Sequence, residues 1–246
     1  MRILRYFRFF GRLAESDDAH EKSTLEVIRN NAGGLARISG ERIWSEWRKI
    51  LQGPMGGQLT LRMIDLGLAQ YIGLPENPKC AQLEKILGQT RPQNLHPVTL
   101  VTQLLDSRDQ ATNLNLRLKM SAYERDLAHF LLEHKENMPQ AQDLKKWQKI
   151  LLMTKLKQHN VREWIEQFIL CYTPENSELL QKFKCWEIPK FPINGQDLNE
   201  CGVPKGKKMG ICMNQLKEVW IDSDFSLDRS NLLKVELPKI VDNIIT

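Results

Sequence analysis

The stretch Val161-Arg162-Glu163-Trp164-Ile165-Glu166-Gln167-Phe168-Ile169-Leu170-Cys171-Tyr172 decides the fold class. Its residues Val161, Trp164, Ile165, Phe168, Ile169 and Tyr172 follow i, i+3, i+4, i+7, i+8 and i+11, so a 3.6-residue helix gathers them on one side and should bury that stripe. Apolar spacing of three and four recurs along nearly the whole chain. The two-residue alternation of a strand stands out only at Leu114, Leu116, Leu118 and Met120. One isolated strand cannot make a sheet, so the pattern predicts an all-α fold with no substantial β-sheet.

Helix ends can be read outward from that stretch. Ser23 with Glu26 and Ser121 with Glu124 each have the spacing of a capping box, predicting helices over 24–32 and 122–136. Gly33-Gly34 stops the first, and Ser39 is placed to cap a second helix through Ile43, Trp44, Trp47, Ile50 and Leu51. Further helices are expected at 58–70, 97–105 with Pro97 in the first turn, 143–158, 177–186 and from Ile211 to Trp220. No period of about 30 to 45 residues repeats, which argues against a solenoid. Breakers cluster at Gly73 to Pro78 and at Ile188-Pro189-Lys190-Phe191-Pro192, then Asn194-Gly195, dividing the chain into 1–75, 76–190 and 191–246.

Composition removes several function classes. With 246 residues, 41% hydrophobic and 26% charged, the chain has an ordinary globular composition, and its 14 Gly and 11 Pro form no low-complexity tract. Charged residues break every apolar run well before the roughly 18 residues needed to cross a bilayer. The five cysteines (Cys80, Cys171, Cys185, Cys201, Cys212) include no C-x-x-C pair and are odd in number, as expected for a reduced intracellular chain. The five histidines contain no H-E-x-x-H, and His129 and His134, five apart, fall on different helix faces, so no metal site is expected. The net charge of +5 permits a polyanionic partner without requiring one.

That charge is concentrated at the start. Met1-Arg2-Ile3-Leu4-Arg5-Tyr6-Phe7-Arg8-Phe9-Phe10-Gly11-Arg12 carries four arginines and no acid before Glu15. At about 100° per residue, Ile3, Tyr6, Phe7 and Phe10 share one side of a helix and Arg2, Arg5, Arg8 and Arg12 the other. Three readings fit: a packed helix with a solvated basic face, an Arg-rich presequence, or a face whose planar guanidinium groups bind phosphates or base edges. Spacing alone does not choose among them. Trp44 and Trp47 read as core. The segment Ser39-Gly40-Glu41-Arg42 reads as a helix start with an acid in its first turn, where the dipole favours it.

A family resemblance adds more. The run Arg2-Ile3-Leu4-Arg5-Tyr6-Phe7-Arg8-Phe9, followed by Ile38-Ser39-Gly40-Glu41-Arg42-Ile43-Trp44 and Lys49-Ile50-Leu51, resembles the neck of the CCA-adding tRNA nucleotidyltransferases of the eukaryotic mitochondrial type. Tyr71-Ile72-Gly73-Leu74-Pro75 and Leu114-Asn115-Leu116-Arg117-Leu118-Lys119 resemble its body. Phe191-Pro192-Ile193-Asn194-Gly195-Gln196-Asp197-Leu198, then Gly202, Gly206 and Gly210, resemble its tail. The segments keep family order over roughly residues 1 to 233, and nothing matches from Val235 onward.

The resemblance implies an elongated multi-helix arm, with 1–75 neck-like, 76–190 body and 191–246 a tRNA-binding tail. It implies binding of the tRNA acceptor stem and T-arm, by shape and phosphate contacts, for 3′-end CCA addition from CTP and ATP. Arg2 and Arg5 match the two arginines of the family's Glu-Asp-x-x-Arg-x-x-Arg nucleotide-selecting motif. The Glu and Asp of that motif would precede Met1, which implies an internal start, a truncated isoform or an incomplete gene model. Arg8, Arg12, Lys205, Lys207 and Lys208 are the candidate RNA contacts, the lysines lying in a Gly-rich loop that leads into a helix N-terminus.

The family's catalytic head, with its metal-binding carboxylates, has no counterpart here. The expectation is therefore no catalytic residue and no nucleotidyl transfer by this chain alone. Mg2+ with CTP or ATP would belong to the full-length enzyme, and this chain would bind no cofactor itself. The partners implied are tRNA, and CTP and ATP only with the head. No membrane is implied, and a homodimer is among the assemblies allowed. Location follows the family: mitochondrial, or cytosolic and nuclear. Two alternatives stand beside this reading. One is a non-catalytic helical module for a protein partner. The other is the RNA-binding region of a poly(A) polymerase, against which the glycine spacing near 202–210 speaks.

Overall fold

The computed structural model describes residues 1–89, 95–135, 143–173 and 175–245, with side chains as far as residue 242. In chain order the elements are α1 (Arg2–Leu13), α2 (Lys22–Asn31), a 3-10 turn (Ala32–Arg37), α3 (Gly40–Leu51), α4 (Gly56–Asp65), α5 (Ala69–Ile72), α6 (Cys80–Gln89), α7 (Pro97–Thr102) and α8 (Arg108–Leu118). They continue with α9 (Ala122–Lys135), α10 (Leu144–Met153), α11 (Gln158–Tyr172), α12 (Ser177–Cys185), α13 (Gly195–Glu200), α14 (Lys207–Asp222), α15 (Arg229–Asn231), a π turn (Leu232–Glu236) and α16 (Leu237–Ile245). The fold is all-α, and no strand occurs among the described residues. Among them, too, no helix is long and apolar enough to cross a membrane.

The predicted stripe of α11 is buried from Val161 to Tyr172. The capping box at α9 is present: Glu124 N–H donates to Ser121 Oγ (3.3 Å), and Ser121 N–H donates to Glu124 Oε2 (2.9 Å). Other local expectations are corrected. Helix α2 begins at Lys22 with Glu21 as N-cap, so Ser23 lies inside the first turn and donates to Glu21 (2.6 Å) instead of capping. Ser39 is the N-cap residue of α3, but its side chain makes no cap bond. The helix expected at 58–70 is split by a turn around Gly67, which has φ +80°, and the one expected at 143–158 ends at Met153. The alternating leucines belong to the end of α8, where Leu114 and Leu118 are buried, Leu116 is exposed, and the chain turns at Lys119 in the left-handed conformation (φ +56°).

The chain forms two compact units: Met1–Gln142 with Glu163–Leu180, and Asp143–Arg162 with Gln181–Thr246. In the first unit α3 is the central strut. Trp44 and Trp47 are core, their rings edge-to-face at 5.9 Å, and both indoles are satisfied: Trp47 Nε1 donates to Thr60 Oγ1 (3.0 Å) and Trp44 Nε1 to Glu124 Oε1 (3.1 Å). Burial alone would raise the Glu124 carboxyl, but bonds from the Ser121 main chain and hydroxyl and from Trp44, with Arg48 nearby, hold it below the ordinary carboxylate range.

Three segments distant in sequence meet at Arg117, near the end of α8. Its Nη2 donates to the carbonyls of Leu35 (3.3 Å), Ile38 (3.1 Å) and Tyr71 (3.1 Å), tying down the turn that precedes α3 and the end of α5. The space beside it requires glycine twice. A Cβ on Gly40 would overlap the Arg117 carbonyl oxygen and lie 2.7 Å from its carbon, and a Cβ on Gly73, whose φ is +89°, would lie 2.8 Å from Arg117 Cγ. The second unit is built on Leu198, Cys212, Leu216, Trp220, Ile221 and Leu232, contributed by α13, α14 and the π turn.

Candidate nucleic-acid interface

Helix α1 does not divide as a simple wheel suggests. The residues it buries fully are Leu4, Phe7 and Gly11, and Gly11 lets it approach α4 so closely that a Cβ there would lie 2.7 Å from Leu59 Cδ1. Tyr6 and Phe10 are half-buried around His20: the Tyr6 hydroxyl lies 2.8 Å from His20 Nδ1, and the Phe10 ring stacks on the imidazole at 3.6 Å. Burial, then the Arg62 guanidinium, hold His20 below its usual pKa.

The four arginines of α1 separate into two kinds. Arg2, Arg5 and Arg12 are exposed. Arg8 is mostly covered, with Nη1 2.9 and 3.1 Å from the two oxygens of Glu46, a buried carboxylate on α3, so this pair fastens α1 to α3. Arg42, from the Ser39-Gly40-Glu41-Arg42 segment, joins the start of α1. The Met1 amino group is held below its usual pKa by burial and then by the guanidinium groups of Arg42 and Arg5. Arg42 and Arg5 thus act on the same group at the start of α1. Beside it opens a groove of about 500 Å³ lined by Arg2, Ile3, Tyr6, Thr24, Val27 and Asn31.

Lys205, Lys207 and Lys208 lie in the second unit, and all three are exposed. Gly202 (φ +84°) and Gly206 (φ +113°) take backbone conformations that L side chains rarely adopt, and Gly206 is the N-cap of α14 with no side-chain cap bond. The first turn of α14 contains no acid. Its unsatisfied N–H groups and the lysines are therefore cationic together, an arrangement unfavourable to the helix by itself and relieved by an anion.

The segment before this loop shows what the Phe191-to-Leu198 motif does. Asn194 and Asp197 form a capping box on α13, with Asn194 N–H donating to Asp197 Oδ2 (2.8 Å) and Asp197 N–H to Asn194 Oδ1 (3.2 Å). Arg229 donates to Asp197 Oδ1 through Nη2 (2.7 Å) and Nε (3.2 Å). These bonds from Arg229, then from Asn194, hold the Asp197 carboxyl below its ordinary range. Val203 N–H then closes on Leu198 O (3.0 Å), so the box and the Arg229 clamp seat the glycine loop. The partnership with Arg229 carries no local signal in the sequence, because the two residues stand 32 apart.

The chain is all-α and carries two exposed basic segments, each mounted on packed helices. Residues 20–77 match the family model described as "Probable RNA and SrmB- binding site of polymerase A". Over 237 residues the chain is 37% identical to human CCA tRNA nucleotidyltransferase 1, mitochondrial, and 36% identical to the Mus musculus protein of that name. Each alignment covers 95% of this chain and 54% of the relative. The resemblance read from the sequence is thus shown, and the chain spans about half the length of the curated relatives it matches. A solved structure, the Thermotoga maritima CCA-adding enzyme complexed with tRNA_CCA, shares the fold with a TM-score of 0.63 at 16% identity, over 99% of this chain and 60% of that one.

Proposed function

We propose that this chain is the tRNA-holding portion of a CCA-adding nucleotidyltransferase, with 1–75 its neck, 76–190 its body and 191–246 its tail. The observation that carries the reading is the similarity to mitochondrial CCA tRNA nucleotidyltransferases along 95% of the chain, and the match of residues 20–77 to an RNA-binding family model supports it. In this reading the lysines at 205, 207 and 208, with the free N–H groups of α14, take phosphates of the acceptor and T-arm. Arg12 adds a further contact, whereas Arg8 is paired with Glu46 between α1 and α3. Arg2 and Arg5 turn planar guanidinium groups toward the base edge of CTP or ATP when the nucleotide-transferring part is present. The relatives' names point to the mitochondrion, with the cytosol and nucleus as the other compartments of this reading.

The Mg2+ that the resemblance attaches to the whole enzyme is not fitted by these residues: among the described ones, no three His, Cys, Asp or Glu side chains gather where they could hold a metal. No chemical step is derived through one. The 246 residues alone are expected to transfer no nucleotide.

Filter binding of tRNA at rising salt tests the reading. Affinity that falls linearly on a log–log plot is expected, and no affinity, or affinity indifferent to salt, refutes it. Incorporation of labelled CTP and ATP into tRNA lacking its CCA end should be absent with this chain alone. The matched model's name favours a second reading, the RNA-binding region of a poly(A) polymerase. Poly(A) competing as well as tRNA would favour that one.

A further inference from the structure

The second unit holds another cationic cleft that neither the sequence motifs nor the family model covers. Its volume is about 590 Å³, and its lining includes Gln158, His159 and Arg162 from the first turns of α11, Lys184 at the end of α12, and Trp186 and Ile188 beyond it. Arg162 shapes the wall: its Nη2 donates to Trp186 O (2.9 Å), its Nη1 reaches Lys184 O (3.5 Å), and its guanidinium lies 5.6 Å from the centre of the Phe183 ring. The loop is thereby held in place, with Lys184 and His159 exposed and Trp186 half-buried.

Two further lysines, Lys155 and Lys157, precede α11 and are exposed. Lys155, Lys157 and His159 fall within five residues, a stretch of at most about 13 Å along the chain. Of the cleft's lining residues only Glu187 is acidic. Along the chain, the basic residues therefore continue beyond the cleft to Lys157 and Lys155. That matches successive phosphates of a strand better than the single charged group of a small metabolite, and the volume admits about one nucleotide.

We propose that this cleft, with Lys155 and Lys157, grips the sugar–phosphate backbone of RNA as a second contact besides Lys205 of the glycine loop and Lys207 and Lys208 in the first turn of α14. The site rests on the tRNA-holding reading above and adds a position to it. Arg162 is a positioning residue, since its donors are committed to the two carbonyls.

The test is the salt dependence of tRNA binding by the full chain, compared with Lys155→Gln/Lys157→Gln, with Lys157→Gln/Lys184→Gln, and with a charge-matched control, Lys85→Gln/Lys234→Gln. Each lost phosphate contact removes about 0.7–0.9 from the log–log slope, so each cleft variant should lose about 1.5 and bind roughly tenfold more weakly at moderate salt, with its melting temperature unchanged. The control should keep the wild-type slope. Wild-type binding with unaltered slopes in both cleft variants, or an equal loss in the control, overturns the cleft and leaves the tRNA reading standing. A wild-type chain with no affinity for tRNA overturns both.

Discussion

Gly40→Ala isolates the contact on which the first unit depends. Gly40 is the first residue of α3, and an added methyl there would overlap the Arg117 carbonyl oxygen while lying 2.7 Å from the Arg117 carbonyl carbon and 2.9 Å from Leu118 Cα. All three atoms are backbone of α8, so no rotamer change relieves the clash and the two helices must part by about 1 Å. Overpacking of this kind costs about 1–3 kcal/mol. Parting the helices also stretches the Arg117 bonds to Leu35, Ile38 and Tyr71, now 3.1–3.3 Å, and a hydrogen bond from a charged donor is worth about 1.5–3 kcal/mol. The better helix propensity of alanine returns up to about 1 kcal/mol. A net loss of about 1.5–5 kcal/mol remains, which for a chain of this size lowers Tm by roughly 3–20 °C.

Far-UV circular dichroism at 222 nm measures it, with Gly210→Ala as the comparison. Gly210 lies within α14, and a Cβ there would meet nothing within 4 Å, so the same substitution should stabilise by about 0.5–1 kcal/mol. A Gly40→Ala protein melting within 2 °C of wild type would refute the reasoning. Opposite signs at the two glycines would show that contact with α8, and not glycine as such, sets the result.

Two further outcomes can be checked on the same instrument. Lys119 holds a left-handed conformation (φ +56°) at the end of α8 with its side chain exposed, so Lys119→Gly should raise stability by up to about 1 kcal/mol, and a lowered Tm would contradict that account. The carboxyls of Glu124 and Asp197 are both held below their ordinary range, so their contribution is complete above the unfolded values of about 4 and is lost as pH falls through the lowered folded values. Stability should therefore drop on acidification below about pH 5, and Glu124→Gln should flatten part of that drop in urea titrations. A variant with the wild-type acid profile would remove Glu124 from the explanation.

How much was legible in the sequence depends on how far apart the interacting groups lie. The α11 stripe and the Ser121–Glu124 box were readable because both ends of each signal fall within a few residues and the helix geometry joins them without help. Ser23 misled through a shift of two positions: with Glu21 as the N-cap, Ser23 is inside the turn and its hydroxyl finds the acid two residues back. The alternating leucines misled in the other direction, since Leu116 sits on the solvent side of a helix end where spacing of two has no meaning. In α1 the wheel located the arginines but not their fates, because what distinguishes Arg8 from Arg5 is Glu46, 38 residues further along.

The sequence by itself determined that this is an all-α chain and, through segments kept in family order, which enzymes it is similar to. Only the tertiary structure decided which charges are open and which are spent on the fold. Arg8 is committed to Glu46, Arg117 to three carbonyls up to 82 residues away, Arg162 to the loop after α12, and Arg229 to the Asp197 cap. Helical periodicity and caps are short-range, so the local sequence carries them. Whether one guanidinium among 35 Lys and Arg meets a carboxylate, a carbonyl or water is fixed by packing partners that no local pattern names.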